Sequence, residues 1–367
     1  MRRNITNWLI IILAWQLASI MFTFIGTSFF QSLIEVIDIL PVDPQNKFFQ
    51  YSISHLPLVE SSLFGFFFGN LFYIIHWATE NTALKKRSFG QVVCIQSVLY
   101  ILAFVLVFFM VSFVMSHVDI FPFDDYQKIL LILEETPPVF YAFFSYFLII
   151  IIIINFFIEV SKKFGPGNLW NLFIGKYHTP IVENKIFMFL DLKDSTGYAE
   201  KLGHIEYSRL IQSCFLDLNT IVKRHNAQIY QYVGDEAVLM WDKKEKDAAR
   251  DCIRLYYAFH NVLLKKSDKY KSRYGFVPEF KAGINEGSVT AAEVGSIKRE
   301  IAFHGDVLNT ASRIQKVCNQ YKKNLLASES FVELLDEVDE FNKVLIGYIT
   351  LKGKAIPINI YSVELVK

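Results

Sequence analysis

The chain has 367 residues, of which 53% are hydrophobic, 16% aromatic and 20% charged. With 37 Lys and Arg against 36 Asp and Glu, the net charge is +1, which argues against nucleic-acid binding through a broad basic face. A mean hydropathy of +0.30 and 35 Phe exclude both disorder and a single water-soluble domain.

The apolar excess is concentrated at the start. No charge occurs between Arg3 and Glu35, Glu60 and Glu80, Arg87 and Asp119, or Glu135 and Glu159. Each gap can hold the roughly 20 apolar residues that cross a bilayer as a helix. Spans are predicted near 7–29, 57–78, 90–115 and 138–158, giving a transmembrane domain over 1–158. The first is too long for a signal peptide and lacks a small-residue cleavage site before Gln31. Arg2 and Arg3, then Lys85, Lys86 and Arg87, then Lys162 and Lys163 lie on one side; the other loops carry mostly Asp and Glu. Positive charge marks the cytoplasmic side. Both termini are therefore expected inside, with the lipid bilayer of the inner (cytoplasmic) membrane as partner. His76 and His117 fall at opposite faces in this topology, so they cannot ligate one haem. Glu60, at the outer end of the second span, is either a ligand contact or water-exposed.

Residues 159–184 read as a linker. Gly165-Pro166-Gly167 cannot continue a helix, and the apolar patch Leu169, Trp170, Leu172, Phe173 and Ile174 follows it. That patch suits either a short interfacial helix or a packed connection.

From 185 to 367 charges return and short β-type runs alternate with helical ones, as expected for a cytoplasmic α+β domain. Lys185–Asp191 reads as a strand and Ile205–His225 as an amphipathic helix. Ile229–Val233 and Ala237–Trp241 read as strands joined at Gly234-Asp235. Glu245–Lys266 reads as a helix, Glu279–Thr290 as a strand pair, Asp306–Asn319 as a helix, and Val344–Leu351 with Ile356–Val363 as closing strands. The four cysteines, Cys94, Cys214, Cys252 and Cys318, form no C-x-x-C pair and read as reduced thiols.

Four short segments carry chemistry. Phe189 to Thr196 delivers Asp191 at a strand end and then a turn into a helix. A carboxylate beside free backbone amides suits a divalent cation next to a phosphate, although Asp-Ser there is also an ordinary helix cap. Tyr232 to Glu236 places Asp235 at a hairpin tip. Two carboxylates on neighbouring strands can hold a pair of cations around a triphosphate. Gly305 to Arg313 spaces Asn309 and Arg313 at i, i+4 on one helix face. Leu351 to Lys354 joins the closing strands.

Together these residues resemble the catalytic domain of class III adenylate/guanylate cyclases over about Lys185 to Val363. The matching motifs are F-x-D-x-x-x-S-T, G-D, G-D-x-V-N-x-A-S-R (with Leu308 where Val is usual) and L-K-G-K. The resemblance implies an antiparallel-rich sheet flanked by helices on a ferredoxin-like core. It implies that Asp191, Asp235 and the Leu192 carbonyl hold two Mg²⁺ or Mn²⁺ ions. The amides of Lys193, Asp194, Ser195 and Thr196 would hold the β- and γ-phosphates, and Lys352 would grip the triphosphate. Asn309 would orient the ribose and Arg313 would stabilise the α-phosphate. The ribose 3′-hydroxyl would attack in line, giving 3′,5′-cyclic AMP and pyrophosphate for signal transduction. A homodimer with shared sites is implied. The two purine-reading positions depart from the family's usual residues: they hold Gln231 and Ala302. A Gln amide donates and accepts, so ATP is favoured only weakly over GTP. A diguanylate cyclase would need a G-G-D/E-E-F motif, which Val233 to Ala237 lacks. An inactive membrane receptor that keeps the fold for dimerisation is the reading of a different class.

Overall fold

The computed structural model describes residues 2–36, 54–80, 82, 87–116, 137–164, 168–335, 340–351 and 357–366. The chain divides into two compact units, Met1–Lys163 and Phe164–Lys367.

The first unit contains helices α1 (Arg2–Val36), α2 (Leu56–Glu80), α3 (Phe89–Ser116) and α4 (Pro137–Phe164). Among the described residues these are four helices long and apolar enough to cross a membrane: Trp8–Phe29, Leu56–Glu80, Phe89–Met115 and Phe144–Ser161. They lie within a few residues of the predicted spans. The helices are apolar nearly all round, as a lipid environment requires: Leu13, Leu17, Phe24, Leu106 and Phe157 face outward while other large side chains fill the interior. That interior is aromatic. The Trp15 and Phe68 rings meet edge to face at 4.6 Å, and Phe72 stacks on Tyr100 at 3.8 Å. Gly65 faces the α1 backbone, where a Cβ would come within 2.7 Å of Gln16 Cα, so the small residue lets the two helices touch. The Gly165-Pro166-Gly167 break, Lys85, Lys86 and His117 lie outside the described residues.

The second unit opens with α5 (Asn168–Phe173), whose Trp170 and Phe173 are exposed. One sheet then runs in the order β2-β3-β1-β4-β6-β8-β7, with β5 paired to β4. Its strands are β1 (Ile181–Leu192), β2 (Gln228–Val233), β3 (Glu236–Asp242), β4 (Phe280–Val294), β5 (Glu300–His304), β6 (Leu325–Ser328), β7 (Phe341–Ile349) and β8 (Ile358–Leu365). The β4–β6 pair is parallel and the other pairs are antiparallel. Helices α6 (Ser195–Val222), α7 (Ala248–Lys265), α8 (Ser267–Tyr274), α9 (Asp306–Val317) and α10 (Glu329–Val332) accompany it. Strand β1 lies mid-sheet and is buried continuously from Lys185 to Leu190. One sheet face packs Ile186, Met188 and Leu190 against α6 and α7; the other packs Phe187 and Phe189 towards Val307 and Ala311 of α9.

The structure corrects two predicted elements. Glu279–Thr290 is not a strand pair: β4 runs unbroken through Phe280–Val294, and its partner is β5. The predicted helix from Ile205 begins earlier, at Ser195, and is broken at Gly203, where the backbone leaves helical angles.

Candidate active site

Strand β1 carries Asp191 at its end, directly opposite Glu236 of β3 and Lys281 of β4. Opposed residues of antiparallel strands share a face, so the Asp191 carboxylate is flanked by an acid and a base. Lys281 Nζ lies 3.4 Å from Asp191 Oδ2. Gln315, buried on α9, donates from Nε2 to the same oxygen at 2.7 Å.

Asp235 stands in the turn between β2 and β3, at the hairpin tip where it was expected. Gly234 holds this turn at φ +61°, a left-handed conformation that side chains resist. The hairpin is tied to α6: Tyr232 stacks on Phe215 at 4.5 Å, and its hydroxyl donates to Asn219 Oδ1 at 2.8 Å. Asp235 Oδ2 is buried and accepts no hydrogen bond among the described residues. The Tyr207 hydroxyl stands beside Asp235 and Ser195. Burial, then the Asp235 charge, pushes it up to about 12.

Two carboxyls of the site, Asp191 and Glu236, are raised by burial and by neighbouring charge. Burial and then the Asp235 charge push Asp191 upward, against the opposing pull of Lys281 and the Gln315 hydrogen bond. Glu236 is pushed up to about 7 by burial, then by Asp191, with Lys316 opposing. Gathered negative charge with an unmet buried oxygen is what a cation relieves. No group of three or more His, Cys, Asp or Glu side chains among the described residues is arranged to hold a metal. The oxygens of Asp191 and Asp235 are hard donors, of the kind that suits Mg²⁺ or Mn²⁺.

Past β1 the backbone turns at Asp194, itself left-handed at φ 52°, and α6 starts at Ser195 without a side-chain cap. The first amides of a helix have no intrahelical partner, which leaves Ser195 and Thr196 as donors. Lys193 is a correction. Its amide donates to the Glu279 carbonyl at 2.9 Å and is not a free donor, while its ammonium pairs with Glu279 at 3.2 Å.

Helix α9 has two distinct faces. Val307, Thr310, Ala311, Ile314 and Gln315 are buried against the sheet, whereas Asn309 is exposed and Arg313 half-buried on the opposite side. Neither Asn309 nor Arg313 makes a side-chain hydrogen bond or ion pair among the described residues. Thus Asp191 and Asp235 are brought together within one protomer, while Asn309 and Arg313 point away from α9's contact with that protomer's Asp191. Gln231 is exposed on β2, and Ala302 of β5 is paired with Ala292 of β4. Their strands approach through Tyr230 and Phe303, whose rings are 5.3 Å apart. Lys352 lies outside the described residues.

Sequence reasoning missed Gln315, Lys281, Glu236 and Tyr207. A polar Gln on the otherwise apolar stripe of α9 was a usable signal for the first. Lys281 and Glu236 become neighbours of Asp191 only through strand register, and Tyr207 only through the break at Gly203.

The chain is 31% identical over 184 residues to adenylate cyclase 2 of Rhizobium meliloti, covering 50% of this chain and 50% of that protein. It is 28% identical over 216 residues to an adenylate cyclase of Anabaena cylindrica, covering 57% and 41%. The chain thus spans about half the length of the curated relatives it matches. Among solved structures, a bacterial light-regulated adenylyl cyclase aligns at a TM-score of 0.50 and 18% identity, covering 59% of this chain and 64% of that one; this likeness concerns the fold alone. The profile of the adenylate and guanylate cyclase catalytic domain matches residues 179–364, half of the chain, and the chain belongs to that family.

Proposed function

We propose that this chain is a membrane-anchored homodimeric cyclase that converts ATP to 3′,5′-cyclic AMP and pyrophosphate on the cytoplasmic side of the inner membrane. The observation that carries the reading is the split of the site. Asp191 and Asp235 form an acidic pair with an unmet oxygen, and the same chain presents Asn309 and Arg313 on the outer face of α9. A complete site then needs the outer face of a second copy's α9, and two-fold symmetry supplies it twice.

Asp191, Asp235 and the Leu192 carbonyl are the groups that would hold Mg²⁺ or Mn²⁺. When bound, such ions supply charge neutralisation at the triphosphate and acidify the ribose 3′-hydroxyl. The Ser195 and Thr196 amides at the start of α6 point their donors at phosphate oxygens, and Lys352 adds positive charge there. Asn309 holds the ribose in place for in-line attack. Arg313 contacts the α-phosphate as the 3′-oxygen–phosphorus bond forms and the bond to pyrophosphate breaks. Its contribution is positioned charge in the transition state.

The test is an assay of the purified full chain with Mn²⁺ and either ATP or GTP, scored for 3′,5′-cyclic product. ATP turnover exceeding GTP turnover is expected. No product from either would overturn the enzyme reading and favour an inactive receptor.

A second reading, dual purine specificity, is favoured by Gln231 and Ala302. Ala302 offers the base no hydrogen bond, and an exposed Gln amide suits either purine. Gln231→Lys with Ala302→Asp is expected to raise the ATP-over-GTP ratio of kcat/KM by about tenfold or more. An unchanged ratio would mean that these positions do not face the base.

A further inference from the structure

Asp191 is held from two sides by one of its oxygens. Lys281 Nζ stands 3.4 Å from Oδ2 and Gln315 Nε2 donates to it at 2.7 Å, while Oδ1 accepts no hydrogen bond among the described residues. Lys281 reaches Asp191 because β4 pairs with β1 in a register that sets the two residues directly opposite, and residues so placed share a face of the sheet. The Lys281 side chain is 12% exposed and Gln315 is buried, so salt and water screen this contact little.

Stability is a weak account of this lysine. A buried ion pair returns little beyond the cost of desolvating its two partners, and Gln315 already binds the same oxygen without a charge. What the ammonium changes is the field offered to a cation. Asp191, Asp235 and Glu236 bring three carboxyls together, and Lys281 and Lys316 are the positive charges set against them. Of these two lysines, it is Lys281 that touches one of the two aspartates offered as cation ligands. A divalent cation approaching Asp191 therefore meets a like charge already seated there. Because that charge is tethered to β4, it competes for the carboxylate at every cation concentration.

We propose that Lys281 is a built-in counter-ion that weakens the hold of the acidic pair on a divalent cation, so that the ion alone does not fill the nucleotide-free site. The proposal rests on Asp191 being a cation ligand, as in the cyclase reading above. Lys281 acts on the ion through Asp191 and is a positioning residue, not a catalytic one.

The experiment titrates the nucleotide-free full chain in nonionic detergent with Mn²⁺, following the loss of the free ion's electron paramagnetic resonance signal. Asp191→Asn gives the background from other sites. Lys281→Met keeps the length of the side chain and removes its charge. It should bind Mn²⁺ at least about fivefold more tightly than wild type, the effect that one charge has on a divalent ion about 8 Å away even in bulk water. Lys281→Gln, which keeps a polar side chain, should tighten binding in the same direction if methionine disturbs the sheet. Gln315→Met takes a neutral donor from the same oxygen and should tighten binding less than Lys281→Met does. Equal tightening in the Lys281 and Gln315 variants would mean that freeing the carboxylate matters and charge does not, and would overturn the proposal. Cyclic product from the wild type, together with unchanged or weaker Mn²⁺ binding in both Lys281 variants, would overturn it while leaving the cyclase reading intact. No binding above background in wild type or variants would overturn it together with the cation role of Asp191.

Discussion

At the scale of single residues, the role proposed for Asp191 and Asp235 rests on charge and not on packing. Asp191→Asn or Asp235→Asn is expected to remove nearly all cyclase activity while leaving the protein folded and inserted, because each deletes a cation ligand outside the apolar core. Near-normal turnover in either would show that residue is not a ligand. The same carboxyls set a pH dependence. Glu236 is raised to about 7 from 4.5, and Asp191 shifts in the same direction. The folded chain therefore holds protons that the unfolded chain has released, so stability declines as pH rises from about 4.5 through about 7. Without divalent cation, thermal melts should show the Tm of the cyclase unit falling across this window. Added Mn²⁺ should raise Tm strongly at the upper end and little at the lower. A cation effect of equal size at both ends would contradict the charge argument. Asp191 and Asp235 were legible in the sequence because each sits in a short motif with turn chemistry of its own. Glu236, although adjacent to the motif, gave no sign of its perturbed state, which arises from burial and register.

At the scale of elements, the contact of α9 with β4 decides where Asn309 and Arg313 stand. Gly283 of β4 lies directly beneath the helix: a Cβ there would be 2.2 Å from Gln315 N and 2.4 Å from Ala311 O. Both are backbone atoms, so relief requires the helix to move. Gly283→Ala should cost about 1–3 kcal/mol and lower Tm by about 2–12 °C. It should also reduce kcat more than it raises KM for ATP, since the displaced helix carries groups that act in the transition state. A variant with normal Tm and kcat would mean α9 sits less tightly than described. Long periodic or strongly patterned elements could be read beforehand: the four apolar helices, β1, the β2–β3 hairpin, and α9. Short ones could not. Strand β6 has four residues and β5 five, too few for a period to emerge, and both pair with the edge of β4 that β1 leaves open. The continuity of β4 was hidden by Gly287, which looks like a turn but sits within the strand.

At the scale of the whole molecule, the outward face of α9 calls for complementation. Asp191→Asn and Arg313→Ala should each be inactive as homodimers. Random pairing on co-expression makes about half the dimers mixed, each with one intact and one doubly damaged site, so up to about a quarter of wild-type activity should return, and less the more strongly the two sites are coupled. Confirmed mixed dimers without rescue would overturn the shared-site arrangement. The sequence pointed to sharing only through family resemblance; the physical ground is that Asn309 and Arg313 make no side-chain hydrogen bond or ion pair among the described residues of their own protomer. The same helix also touches the acidic pair of its own protomer through Gln315. In the shared-site dimer, one rigid rod a few turns long thus borders two reaction centres, gripping an acid of one with its inner face and a nucleotide of the other with its outer face. Movement of that rod when one centre fills is felt at the other. The dimer is therefore expected to count its substrates, with a dependence on ATP that departs from a simple hyperbola.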